Sequence, residues 1–123
     1  MKTLYTTEFY DLTFSETYAI IRVKKGVHLD LKITNELRHK LRSHYKNRPI
    51  VLIADRENDH DIDFAIYKQN RLKNTQALAI VSRNKAERER AMLEQEIFDK
   101  SFAFFERLED AENWAISFFP TRS

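Results

Sequence analysis

The sequence has no cysteine, one glycine and two prolines. Without cysteine there can be no disulfides, no thiolate metal sites and no cysteine nucleophile. Its single glycine, Gly26, excludes the glycine-rich loops that bind dinucleotides or nucleoside triphosphates, because those loops need several glycines. No serine lies in a nucleophile context such as Gly-x-Ser-x-Gly. We therefore predict that the protein is not an enzyme and that it has no cofactor.

Long apolar runs are also missing. None approaches the roughly 20 residues needed to span a bilayer, and the N-terminal residues lack the apolar core of a secretory signal. The 21 Lys and Arg nearly balance the 19 Asp and Glu, so net charge indicates no particular partner. Hydrophobic residues make up 42% of the chain, which favours a globular core. We expect one domain over residues 1–123, in the cytoplasm and not on a membrane.

The clearest pattern is an apolar run followed by an acidic loop. Residues 50–54 form a short continuous apolar run, typical of a strand buried on both faces. Residues 55–63 are acidic and polar and predict a loop. Apolar residues at helical spacing then predict a helix that begins near Asp61 or Asp63 and ends near Asn70. In open α/β sheets, ligands tend to bind at loops of this kind, at the carboxyl ends of the strands.

Before this strand, the pattern predicts a hairpin and a helix. Residues 9–14 and 18–23 are expected to pair across a short turn. Residues 27–33 alternate between apolar and polar, which indicates a further strand or an extended lead into the helix. Thr34 or Asn35 is expected to cap that helix. Its predicted buried stripe consists of Leu37, Leu41 and Tyr45.

After the predicted central strand, strands and helices alternate. Residues 76–81 predict a strand, and Ser82 or Asn84 is expected to cap the helix that follows. Residues 102–105 predict a short strand, and residues 110–119 predict a closing helix. The helix after the cap is expected to bury Ala86, Leu93 and Ile97. Its predicted solvated face consists of Glu87, Arg88, Glu89, Arg90, Glu94 and Glu96. The closing helix is expected to pack through Ala111, Trp114, Ala115 and Phe118. This order predicts an α/β fold with a mostly parallel sheet, an antiparallel edge strand and about four helices.

The element order resembles that of the SpoIIAA-like, or STAS-like, α/β domains. The resemblance covers nearly the whole chain and rests on residues 26–34, 49–55, 77–82 and 104–115. It implies a non-catalytic protein-binding or regulatory module. In family members that antagonise anti-sigma factors, a phosphorylatable serine begins the helix after the central strand. Residues 59–63 occupy that place here and contain no Ser or Thr. A related branch has been proposed to carry small apolar molecules, which makes a carrier of a small apolar ligand the alternative.

The first candidate site is the acidic loop, which we expect to bind a protein partner. It comprises Asp55, Glu57, Asp59, His60, Asp61 and Asp63. Alternate acids from Asp59 resemble the start of a calcium loop, but Phe64 and Asn70 stand where that loop needs Gly and Glu. The alternatives are a looser divalent-cation site, and a solvated loop whose last Asp caps the next helix.

The second candidate is a basic face on the first helix, formed by Arg38, Lys40, Arg42 and Lys46. At 3.6 residues per turn these cations spread around the exposed surface, and no aromatic platform for bases accompanies them. Nucleic acid is therefore a less favoured partner than an acidic protein or the acidic loop of a second copy. A simply solvated basic face is the further alternative. The four histidines are dispersed and predict no metal site.

The third candidate is a group of aromatic residues near the C-terminus. It consists of Phe98, Phe102, Phe104, Phe105, Phe118 and Phe119. Such residues can fill the core, line an apolar pocket or form a patch at which two copies meet. The sequence thus predicts an unidentified protein partner, with a homodimer and a small apolar ligand as further possibilities.

Overall fold

The structure is a computed structural model that describes residues 2–57, 61–67 and 72–119. Strands and helices alternate along most of it, as the sequence predicts. In chain order its elements are β1 (Thr3–Thr6), β2 (Tyr10–Phe14), β3 (Tyr18–Val23), β4 (His28–Leu29), α1 (Leu31–Tyr45), β5 (Ile50–Asp55), β6 (Asp61–Ile62), a 3₁₀ turn (Phe64–Tyr67), β7 (Thr75–Val81), α2 (Lys85–Ile97), β8 (Ser101–Phe105) and α3 (Leu108–Phe118).

Six strands form one mixed sheet in the order β1-β2-β3-β5-β7-β8. The first three strands are antiparallel, whereas β3, β5, β7 and β8 pair in parallel. In the centre of the sheet, Ile53 lies opposite Ile20 on one side and Ala79 on the other. The short strands β4 and β6 form a separate parallel pair. This confirms the predicted α/β fold with a mostly parallel sheet and an antiparallel edge.

Helices cover both faces of the sheet, which explains the continuous apolar run of β5. Successive side chains of a strand point to opposite faces. Ile50 and Leu52 pack in the cluster that contains the α1 side chains. Val51 and Ile53 pack in the cluster that contains Ala111 of α3. The parallel part of the sheet is therefore the middle layer of three.

The closing helix α3 packs as predicted. Ala111 and Ala115 are fully buried, so the helix lies close to the sheet. Trp114 contacts Phe105 and Phe118, with ring centroids 5.7 and 5.6 Å apart. The helix begins at Leu108, two residues before the predicted start.

Helix α1 begins earlier than predicted. Its first residue is Leu31, and the carboxylate of Asp30 caps it by accepting a hydrogen bond of 2.9 Å from the amide of Ile33. The predicted cap at Thr34 or Asn35 is therefore wrong. Only the beginning of the alternating segment 27–33 is extended, because the Asp30 cap turns the chain into the helix.

The far end of α1 is tied to the hairpin of β2 and β3. Leu37, Leu41 and Tyr45 are buried, as predicted. The Tyr45 hydroxyl lies 2.7 Å from the carbonyl oxygens of Ser15 and Tyr18, to which it can donate its proton. Burial raises the pKa of Tyr45 to about 12. Its hydroxyl therefore stays neutral and able to donate across the physiological pH range.

The helix predicted to begin near Asp61 or Asp63 is present, among the described residues, only as a short 3₁₀ helix over Phe64–Tyr67. Strand β6 pairs with β4, and the 3₁₀ turn follows. Asp63 sets this geometry, because its carboxylate accepts from the amide of Ala65 and its own amide donates to Leu29. Residues 68–70 lie outside the described ranges. Three α-helices are thus described, against about four predicted.

Strand β1 was not predicted. It pairs antiparallel with β2 at the edge of the sheet, and its side chains are mostly exposed, so it lacks a clear apolar signal.

The predicted cap at Asn84 is confirmed, because its side chain accepts a hydrogen bond of 2.8 Å from the amide of Ala86. In the described ranges, no helix is both long and apolar enough to cross a bilayer.

Candidate functional site

A cavity of about 520 Å³ lies on the face of the sheet that α1 and α2 cover. We call it the sheet cavity. Its wall is mostly apolar and comes from the sheet, from α1, from the 3₁₀ turn and from the segment between α2 and β8. Representative wall residues are Ile21, Leu29, Leu41, Leu52, Leu78 and Phe98.

The cavity exists because the two helices pack over different strands. Leu37 and Leu41 of α1 pack with the side chains of β2 and β3. Ala91 of α2 packs with β7 and β8. The central strand β5 lies between them, and Leu52 contacts both clusters without being fully buried. A central-strand leucine that stays partly accessible marks an opening above β5.

Polar and charged side chains also line the sheet cavity, namely Thr34, Arg38, Asp55, Arg56, Tyr67, Lys73, Thr75, Asp99 and Lys100. Thr34 and Thr75 line it, and their hydroxyl oxygens are buried without a hydrogen-bond partner among the described residues. Buried hydroxyls normally have such a partner. Arg38 also lines the cavity and donates a hydrogen bond of 2.5 Å to the carbonyl oxygen of Ile66. An accessible wall surface that is mostly apolar, with polar groups set among it, is typical of small-molecule sites.

One end of the sheet cavity is closed by a buried polar network. The guanidinium of Arg56 forms two hydrogen bonds with the carboxylate of Glu94, which is completely buried. The hydroxyl of Tyr67 also donates to Glu94, and Glu87 lies 3.6 Å from Arg56. Burial and the charge of Glu94 raise the pKa of Tyr67 well above its usual range. The carboxylate of Glu94 therefore balances the positive charge of Arg56, and the hydroxyl of Tyr67 keeps its proton and donates it to that carboxylate.

Sequence reasoning missed this network because it placed Glu94 on a solvated face. The predicted inward residue Leu93 is instead 54% exposed, and Ala86 is exposed as well. The inward stripe runs from Glu87 through Ala91 to Glu94. A charged side chain that is buried on such a stripe, as Glu94 is, needs a partner, and Arg56 supplies it from the loop after β5. The sequence signal for this network is the helical spacing of Glu87 and Glu94 around the small residue Ala91.

The residues of the predicted acidic loop lie in different environments in the structure. Asp55 is buried and forms an ion pair of 2.6 Å with Arg22 of the neighbouring strand β3. Glu57 is exposed and lies 3.4 Å from the same guanidinium. Asp55 is therefore the last residue of the central strand β5, and its carboxylate is paired within the sheet and not exposed in a loop.

The rest of the acidic loop is described only in part. Asp63 is exposed and caps the 3₁₀ turn. Asp59 and His60 lie outside the described residues, and Asp61 is described only through the backbone of β6. Binding of a partner by this loop stays a prediction. In the part of the chain that the structure describes, no group of three or more His, Asp or Glu could hold a metal ion.

The predicted basic face also separates into parts. Arg38 is buried, so its placement on an exposed face is wrong; its guanidinium reaches the 3₁₀ turn and not solvent. Lys40 lies over the ring of Tyr5, 4.6 Å from its centroid. Arg42 and Lys46 are exposed and line a second depression of about 440 Å³.

We call this depression the basic cleft. Arg42, Lys46, Asn47 and Pro49 line it from the end of α1 and the segment that follows. Lys73, Asn74 and Gln76 line it from the start of β7 and the segment before it. None of the described residues in its wall is acidic. The structure thus brings Lys73, which the sequence did not single out, beside two of the predicted basic residues.

A comparison with solved structures identifies the fold. An uncharacterized protein of the DUF3478 family from Shewanella loihica PV-4, whose crystal structure has a SpoIIAA-like fold, superimposes with a TM-score of 0.58. The two sequences are 16% identical, and the match covers 94% of this chain and 92% of that one. No protein-family model and no curated protein matches the sequence. This chain therefore has the SpoIIAA-like fold that the resemblance implied, and the likeness shows the fold alone.

Proposed function

We propose that the protein binds a small, largely apolar molecule in the sheet cavity and carries it without altering it. The observation that supports this proposal is the cavity of about 520 Å³ above the central strand. Pockets for small ligands typically have volumes of about 300–1,000 Å³ and mostly apolar walls. Protein interiors, in contrast, have few voids larger than a water molecule.

The energetics favour an occupant. Leu52 and Ala54 lie in the central strand, where apolar side chains are normally buried on both faces. Both stay partly exposed because they face the cavity. An alkyl chain bound there would gain about 0.8 kcal/mol for each methylene that leaves water. The apolar wall would be covered at the same time.

Protein binding at the acidic loop, the role favoured from the sequence, has less support. Asp55 is buried against Arg22, which leaves Glu57 and Asp63 as the exposed acids whose side chains the structure describes. The sheet cavity, in contrast, is formed by residues from several elements at once. We therefore place ligand carriage first.

Isothermal titration calorimetry with 1-decanol tests the proposal. We expect saturable binding of about one molecule per chain with a dissociation constant below about 1 mM, because burial of the chain exceeds the cost of association of at least about 4 kcal/mol. 1-Propanol is the control, and it should give no saturable heat because it buries far fewer methylenes. A flat titration with 1-decanol would overturn the proposal.

A further inference from the structure

We infer that the ligand is an amphipathic anion, whose alkyl chain lies in the sheet cavity and whose carboxylate or phosphate lies in the basic cleft. This inference rests on the proposed function and adds the chemical class of the ligand to it. It is carried by the charge of the basic cleft and by its position beside the sheet cavity, with which it shares the wall residue Lys73.

The charge of the basic cleft comes from two separate segments. Arg42 lies in the last turn of α1, and Lys46 is the C-cap of that helix. Cations there also suit the negative end of the helix dipole. The dipole, however, does not explain why Lys73, Asn74 and Gln76 face the same depression from the other side. Three cations, with no acid among the described wall residues, form a site suited to an anion. The side-chain amides of Asn74 and Gln76 donate to the carbonyl oxygens of Arg48 and Asn74.

The basic cleft and the sheet cavity meet at Lys73, which lines both. Its segment is held in place by Lys100, whose ammonium donates hydrogen bonds of 3.1 and 2.7 Å to the carbonyl oxygens of Lys73 and Thr75. Lys100 and Asp99 also line this end of the cavity. A chain lying in the cavity can therefore place its terminal group directly at Lys73.

The opposite end of the sheet cavity does not suit an anion. Arg38 and Arg56 are the cations there. Arg38 donates to the carbonyl oxygen of Ile66, and both outer nitrogens of Arg56 bond to the buried carboxylate of Glu94. A second carboxylate, Glu87, is close to the same guanidinium. An anionic group at that end would meet negative charge. The head group is thus expected at the basic cleft.

The test compares three ligands that share one alkyl chain: 1-decanol, decanoate and decyl phosphate. We expect each anion to bind up to about fivefold more tightly than the alcohol, because that is the gain in affinity that a partly exposed ion pair can add. The preference should fall as salt concentration rises. The relative affinities of decanoate and decyl phosphate then show which head group the cleft takes.

The variant Lys73→Glu reverses one charge where the cleft and the cavity meet. It should weaken binding of both anions about tenfold or more and leave the affinity for 1-decanol nearly unchanged. Lys32→Glu is the matched control, since Lys32 is an exposed lysine in the first turn of α1, at the opposite end of the helix from the cleft. The control should bind all three ligands as the wild type does.

The outcomes separate this inference from the proposed function. Equal affinities for the alcohol and the anions would overturn the inference and leave the sheet cavity as a site for neutral apolar molecules. Inorganic phosphate alone that binds as tightly as decyl phosphate would also overturn it, because the cleft would then act as a separate anion site. Absence of 1-decanol binding would overturn the proposed function itself.

Discussion

Leu52→Trp is expected to abolish binding of 1-decanol while the protein stays folded with nearly unchanged stability. The indole would project from β5 into the sheet cavity, where the leucine is only partly buried. Enlarging a side chain is costly where the core is already filled, but here the added volume enters open space. We expect the free energy of unfolding, measured with urea, to change by less than about 1 kcal/mol. The dissociation constant should rise beyond the measurable range.

Two control variants make this expectation specific. Ile53→Trp changes the next residue of β5, which is fully buried on the α3 face. It should destabilise the protein by about 1–3 kcal/mol or more, because no space is available there. Ile116→Trp lies on the exposed side of α3 and should bind 1-decanol as the wild type does. The proposal is wrong if Leu52→Trp binds the alcohol normally.

Glu94→Gln is expected to lower the free energy of unfolding by about 3–5 kcal/mol. The substitution keeps the shape of the side chain but removes the charge that is hydrogen-bonded to buried Arg56. Loss of one partner leaves the other charge buried and uncompensated, and such losses typically have this magnitude. Equilibrium unfolding in urea, with the midpoint and slope fitted together, measures the effect.

The matched control is Glu96→Gln on the same helix, where the side chain is exposed. It should change the free energy of unfolding by no more than about 0.5 kcal/mol. The double variant Arg56→Met with Glu94→Leu removes both charges and should recover much of the loss, since apolar pairs often replace buried ion pairs well. A loss below about 1 kcal/mol for Glu94→Gln would mean that the pair is solvated in solution.

The sequence predicted those elements whose signal is local. Strands β3, β5 and β7 consist largely of apolar and β-branched residues, and α3 combines buried alanines with Trp114, so their types were correct. The buried stripe of helix α1 was predicted correctly, but its first residue was not. Asp30, which caps the helix, lies in an alternating segment that also suits a strand. Strand β1 was missed because its partner β2, and not its own pattern, makes it a strand.

The candidate site was harder to predict because it depends on distances between elements. Leu52 and Ile53 are equally apolar in sequence, yet one faces a cavity and the other a packed core. Which of them lines open space depends on how far apart α1 and α2 stand over β5. Likewise, Arg56 and Glu94 are 38 residues apart, and only the fold brings them together. The predicted apolar-ligand alternative therefore gained support only once the packing was known.

Native mass spectrometry of protein purified from cells without detergent tests the central claim most directly. We expect a species whose mass exceeds that of the chain by that of one small molecule, and we expect the excess to disappear on denaturation. The Leu52→Trp variant, purified in parallel, should show the bare chain mass. A wild-type mass equal to the bare chain or to a whole multiple of it, together with no saturable binding of 1-decanol, would contradict ligand carriage by the sheet cavity.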